Sequence, residues 1–160
     1  MATEKLKFKL ELHATMWDKA PHAEIFINEK SMFNGDITGT EEKPDVIEFA
    51  HELEEENQYN LIIKRTGKTK GQTVVNSKGD ILQDQLLKIK NIVIDEIDIG
   101  GLVYEGEYTP DYPEPWASQQ RAAGKELEQT FKKVTNMGHN GEWKLQFTSP
   151  FYMWLLENLY

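Results

Sequence analysis

The stretch "KLKFKLELHA", Lys5 to Ala14, constrains the fold more than any other part of the chain. Leu6, Phe8, Leu10 and Leu12 occupy every second position, and Lys5, Lys7, Lys9 and Glu11 fill the places between them. A helix would scatter these apolar residues around its axis. An extended chain puts all four on one face and all the charges on the other, so the stretch reads as a half-buried β-strand with one wet face. The same period recurs. "AEIFINEKSMFNGD" reads as two short strands about a turn at Asn28 to Lys30. "DVIEFAHEL" and "QYNLIIKRT" are two more, joined by the acidic turn Glu54 to Asn57, with Tyr59, Leu61 and Ile63 on one face. "EWKLQFTS" alternates Trp143, Leu145 and Phe147 with polar residues, and Asn140-Gly141 before it is a tight-turn signal. "DQLLKIKNIVIDEIDIGG" is long for one strand, and its alternation slips around Ile92 to Asp95. Either a β-bulge or two strands meeting at a bend accounts for the slip.

About eight or nine short strands separated by turn signals predict an all-β fold, a single antiparallel β-sandwich of jelly-roll kind over residues 1–160. One short helix is expected near 118–134, where Leu127, Phe131 and Val134 form an i, i+4, i+7 stripe behind Gly124. A chain of 160 residues can bury a sizeable core without staples, and with no cysteine it has neither disulfides nor thiolate metal sites. The net charge of −9 opposes binding to nucleic acid or anionic lipid on average. No window approaches the ~20 apolar residues of a membrane span. The opening "MATEKLKFKLEL" lacks the apolar run of a signal peptide, so synthesis without Sec-type export is the expectation.

Catalytic motifs are missing. "GKT" at Gly67 to Thr69 has Ile62 where a phosphate loop needs its first glycine, and reads as a hairpin turn. There is no G-x-S-x-G elbow. His13, His22, His51 and His139 do not stand at i, i+2 or i, i+4 from one another, so no local metal motif exists. Asp95, Glu96 and Asp98 cluster in "IDEIDIGG". They read either as solvated strand-end charges or as hard oxygen ligands for calcium, with Asp84 or Asp36 joining across the sandwich.

Two segments are dense in rings. "YTPDYPEPWASQQ", residues 108–120, holds three of the six prolines and spaces Tyr108, Tyr112 and Trp116 four apart. Prolines hold the backbone extended, so the segment reads as a stiff rod. It acts either as a strap whose rings plug the end of the core or as an arm whose rings dock on a partner or stack on sugars. "SPFYMWLLENLY" carries Phe151, Tyr152, Trp154 and Tyr160 with Leu155, Leu156 and Leu159. A free tail so apolar is an aggregation hazard, so residues 150–160 must pack on their own sandwich or dock on a neighbour. Docking is the expectation, because Pro150 detaches the tail from the preceding strand.

The run from "HELEEENQYNLIIKRTGKTKGQT" to "DQLLKIKNIVIDEIDIGG" resembles the core of small β-sandwich carbohydrate-binding modules of the calcium-dependent, xylan-binding type. The family's Asp-Arg pair is replaced here by Asp84-Gln85. That resemblance implies calcium at Asp84 and Asp95; Asp98, from the acidic cluster, completes the candidate metal set. "ATMWDKAP", "YPEPWASQQ", "MGHNGEW" and "SPFYMWLLENLY" resemble segments of small proteins of T4-like tailed phages. This implies a protein of the virion or host cytoplasm. The resulting expectation is a non-enzymatic phage structural or accessory module, docking on virion or self subunits through its aromatic arm and tail. The alternative is a carbohydrate-binding module that reads host-surface glycans with Trp17, Tyr112 or Trp116.

Overall fold

The computed structural model describes residues 2–16, 19–68, 74–78, 81–112 and 114–159. Trp17 and Tyr160, both candidate ligand residues, lie outside that set. The strands are β1 (Thr3–Thr15), β2 (His22–Ile27), β3 (Lys30–Asp36), β4 (Asp45–Glu54), β5 (Gln58–Thr66), β6 (Val74–Val75), β7 (Ile81–Gln83), β8 (Leu86–Ile94), β9 (Ile97–Asp98), β10 (Glu107–Pro110), β11 (Phe131–Lys132), β12 (Asn136–Met137) and β13 (Gly141–Thr148). Two helices, α1 (Trp116–Ala122) and α2 (Phe151–Leu159), and a 3-10 turn at Gly100–Glu105 complete the described elements.

The strands form an antiparallel β-sandwich. One sheet has the order β12-β8-β1-β4, with β9 folded back on β8, the other runs β11-β10-β13-β5-β2-β3, and β6 and β7 pair apart from both as a two-stranded sheet. The chain passes repeatedly between the sheets, so residues distant in sequence form the core. Leu6, Phe8, Leu10 and Leu12 of β1 point inward as their alternation requires, and each is no more than 1% exposed. They face Ile25, Ile63, Leu145 and Phe147 of the second sheet within one apolar cluster.

The irregular run in β8 has two causes. Glu11 pairs with Asn91 while the next residue, Leu12, pairs with Ile89, so Lys90 is an extra residue in β8. This bulge keeps Ile92 and Ile94 facing inward after Leu87 and Ile89; without it the second pair would face water. Beyond Ile94 the chain turns at Asp95 and Glu96, both with positive φ, into β9.

Three expectations need correction. The helix covers 116–122 only. Gly124, at φ +84°, follows its end, and Phe131 pairs as strand β11 instead of extending a helical stripe. The proline segment is not one extended rod, because it is a β-strand to Pro110 and turns into α1 at Trp116. The tail is a helix packed on its own sandwich, with Phe151, Trp154 and Leu155 buried. Phe151 and Trp154 meet Phe147 of β13 at ring centroid distances of 6.3 and 6.2 Å. The Glu4 carboxylate accepts the Phe151 N–H at 2.8 Å, at the end of the helix where an anion is favourable. Pro150 therefore redirects the chain without detaching it. Among the described residues no helix is long and apolar enough to cross a membrane.

Candidate functional site

One end of the sandwich gathers charge and aromatic rings that the core does not require. It lies where β5 finishes and β13 begins, since Arg65 pairs with Gly141. Arg65 continues the inward row of Leu61 and Ile63, so its side chain must enter the sandwich, where it is fully buried. Its guanidinium donates to the Met137 carbonyl and, at 2.6 and 2.7 Å, to the backbone and side-chain oxygens of Gln85. The Gln85 amide donates in turn to the Lys19 carbonyl at 2.8 Å. Burial pushes the Arg65 guanidinium down to about 10, opposed by the nearby Tyr108 hydroxyl and Asp84 carboxylate. A buried cation is costly unless its donors are met. Both terminal nitrogens find acceptors and tie β12 to the segment before β8, while Nε has no hydrogen-bond partner among the described residues.

Lys68 fixes a second seam. Its N–H donates to Asn140 Oδ1 at 2.9 Å, and Asn140 Nδ2 donates back to the Lys68 carbonyl at 3.1 Å. Its ammonium donates to Asp84 Oδ1 at 2.8 Å and to the Gly138 carbonyl. Tyr108, inward on β10 and buried, donates to the His139 carbonyl and accepts the His139 N–H at 2.9 Å. Burial raises its hydroxyl to about 12. Close backbone approach makes this clamp possible. Gly141 has φ +155°, and a side chain there would run into the Thr109 carbonyl and Pro110.

The clamp presents three rings. His139 lies 5.1 Å from Tyr112 in edge-on geometry and 5.5 Å from Trp116, and the Tyr112 and Trp116 centroids are 6.0 Å apart. Tyr112 is held by its hydroxyl, which donates to the Glu128 carbonyl at 2.6 Å. Trp116, at the start of α1, remains 37% exposed. Burial lowers the pKa of His139, and Lys68 and Arg65 lower it further against the opposing pull of Asp84. The imidazole is therefore neutral at neutral pH, able to donate from one nitrogen and accept at the other. The result is an apolar ring surface on a rigid polar base, suited to a flat ligand with an apolar face and polar edges.

The sequence-predicted residues are divided by the fold. Tyr112 and Trp116 come together, while Tyr108 lies beneath them. Phe151 and Trp154 are core residues, and Tyr152 is exposed on α2, its hydroxyl donating to Asp95. The three aspartates do not converge. Asp84 precedes the nine-residue β8, whereas Asp95 and Asp98 follow it, a separation of roughly 30 Å along the strand. Asp84 is bound to Lys68, and Asp98 accepts from Asn91 at 3.0 Å and from the Gly100 N–H at 2.7 Å. Among the described residues no group of three His, Asp or Glu side chains could hold a metal ion. The calcium set Asp84, Asp95 and Asp98 therefore does not fit this fold. Arg65, Lys68, His139 and Asn140 were not singled out by sequence. The one available signal was Arg65, a charge at an apolar position in the alternation of β5.

No family model and no curated protein matches the chain. Among solved structures the fold is similar to that described as vCBM60 in complex with galactobiose. The TM-score is 0.51 and the identity 6%, with 86% of this chain and 95% of that chain covered. At this identity the likeness shows the fold alone, a β-sandwich shared with a carbohydrate-binding module, and it does not bear on a phage origin.

Proposed function

We propose that the protein is a non-catalytic glycan-binding module whose ligand stacks on Trp116 and Tyr112. The observation that carries this reading is the half-exposed ring surface of Trp116, Tyr112 and His139, held on a hydrogen-bonded base at one end of a sandwich. A pyranose offers an apolar C–H face for the rings and hydroxyls for the neutral imidazole of His139. The structural likeness to a protein complexed with galactobiose supports the same class of ligand. The reading needs no metal.

Affinity electrophoresis in gels containing soluble galactan or xylan tests it. Retardation by at least one neutral polysaccharide is expected, and Trp116→Ala should weaken it about tenfold, a loss of about 1.4 kcal/mol. Equal mobility of the native protein with and without every neutral polysaccharide sinks the reading.

A second reading, assembly with another subunit of a particle or a second copy, is favoured by one observation. Tyr152, Met153 and Leu156 expose 45, 57 and 57% of their surface on the outer side of α2. Light scattering on the native chain and on Met153→Asp/Leu156→Asp tests it: loss of self-association in the variant supports it, and a monomer in both disproves self-assembly.

A further inference from the structure

The outer face of the second sheet carries a feature that neither the core nor the aromatic site explains. Residues there should be polar, since they face water. Phe26 of β2 and Ile62 of β5 instead lie outward, directly opposite each other, and both are only half-exposed. Ile62 forms part of a groove of about 580 Å³ lined also by Asn28, Glu29, Gln58, Asn60 and Gln146. Four of the six lining residues are carboxamides. Asn60 and Gln146 are direct cross-strand partners. Gln146 Nε2 donates to Gln58 Oε1 at 3.2 Å, and Asn28 Oδ1 accepts the Asn60 N–H at 2.8 Å, which fixes the β2–β3 turn over the groove. The Asn60 carboxamide itself makes no hydrogen bond among the described residues.

We infer that this groove is a second saccharide-binding site, selective for neutral sugars. A carboxamide both donates and accepts within one plane, as do neighbouring sugar hydroxyls. Ile62 in the lining, with Phe26 opposite it on β2 at the groove's border, offers an apolar patch for the C–H face of a pyranose. The lining holds one carboxylate, Glu29, and the exposed Lys144 stands beside the groove, across from Ile62 on β13. The two charges offset each other, so the groove offers no net positive field to phosphate, sulfate or uronate ligands. The size falls within the range of small-molecule sites. The groove is separate from the ring surface, because Asn60 and Gln146 stand five residues along β5 and β13 from the Arg65–Gly141 pair, about 17 Å of strand. One disaccharide cannot touch both. The ligand class rests on the reading proposed above; the position does not.

The test is a proton–nitrogen correlation spectrum of the full chain, labelled uniformly with nitrogen-15 and titrated with galactobiose and separately with xylohexaose. The side-chain NH2 signals of Asn28, Gln58, Asn60 and Gln146 report the groove, and the Trp116 indole NH reports the ring surface. With at least one of these sugars, saturable shifts of the carboxamide signals are expected, with an affinity of their own. Asn60→Ala/Gln146→Ala should weaken those that remain at least tenfold and leave the Trp116 response unchanged. Gln58→Ala, at an exposed position, should weaken them in the same direction with less disturbance of the sheet. If the Trp116 signal moves while the carboxamides stay still, the groove is overturned and the ring surface stands. If the carboxamides move and Trp116 does not, the groove stands and the ring surface falls. Silence of both with both sugars overturns both, and tighter groove binding by a uronic oligosaccharide overturns the neutral selectivity.

Discussion

The segment from Tyr108 to Trp116 and the helix α2 carry similar densities of large rings and use them in opposite ways. In α2, Phe151 is fully buried and Trp154 is 7% exposed, both against Phe147 at the centre of the aromatic core. In the proline segment only Tyr108 goes inward, at 3% exposure, while Trp116 keeps more than a third of its surface in water. The difference lies in what each backbone allows. A helix with rings at i and i+3 lays them on one stripe and can press that stripe onto a sheet. The proline segment leaves its strand at Pro110 and turns before α1, so its later rings sit beyond the end of the core and meet each other and His139. Ring density in a sequence therefore marks a contact, and the backbone decides whether that contact lies within the chain.

The largest expected effect breaks the comparison from the α2 side. Phe151→Ala and Trp154→Ala should each cost about 3–5 kcal/mol, because they leave cavities in the core, measured by denaturant unfolding. Trp116→Ala should cost less than about 1 kcal/mol by the same measurement while weakening saccharide binding as described above. Equal destabilisation by Trp116→Ala and Trp154→Ala would erase the distinction between the two segments.

Titration sharpens the comparison from the other side. The folded-state pKa of Tyr108 is raised from 10.0 to about 12 by burial. Folding therefore favours its protonated form. That stability is present below pH 10 and is lost as pH rises towards 12. Tyr108→Phe should flatten this decline. His139 has the opposite sign of shift, lowered from 6.5 mainly by burial. Folding favours the neutral ring, so its contribution is present above pH 6.5 and is lost as pH falls through the lower folded value. His13 and His51 act in the same sense through burial, and His22, raised by its hydrogen bond to Asp36, acts against them. Comparing melting temperatures of the native chain and His139→Gln between pH 7 and 5 isolates the share of His139. An identical acid slope in both would place that ring outside the buried clamp. The smallest effect belongs to the outer side of α2: Leu156→Ser, at 57% exposure, should change stability by no more than about 0.5 kcal/mol.

The alternation of β1, β5 and β13 was legible because side-chain direction in a strand is strictly periodic. Leu6 to Leu12, Leu61, Ile63, Trp143 and Phe147 could be assigned to one buried face without a partner in view. The bend after Ile94 was legible as a break in that period. The stripe of Leu127, Phe131 and Val134 misled, because helical spacing over two turns cannot outweigh a strand partner. Phe131 pairs with Tyr108 and stacks on it at 6.2 Å. The site was less legible still. Tyr112 and Trp116 were visible as large rings on a stiff segment, but His139 lies 23 residues beyond Trp116 and Lys68 lies 48 before it. Their meeting depends on which strands become neighbours.

By itself, the sequence determined the sandwich, its inward faces and the presence of two ring-rich contacts, because these follow from local periodicity and composition. Tertiary structure alone decided that α2 closes its own core, that Asp84 is separated from Asp95 and Asp98 by the length of β8, and that Arg65 and Lys68 tie distant loops beneath three rings. Those outcomes depend on strand order and on the desolvation of particular charges, and neither is encoded in the spacing of residues along one strand.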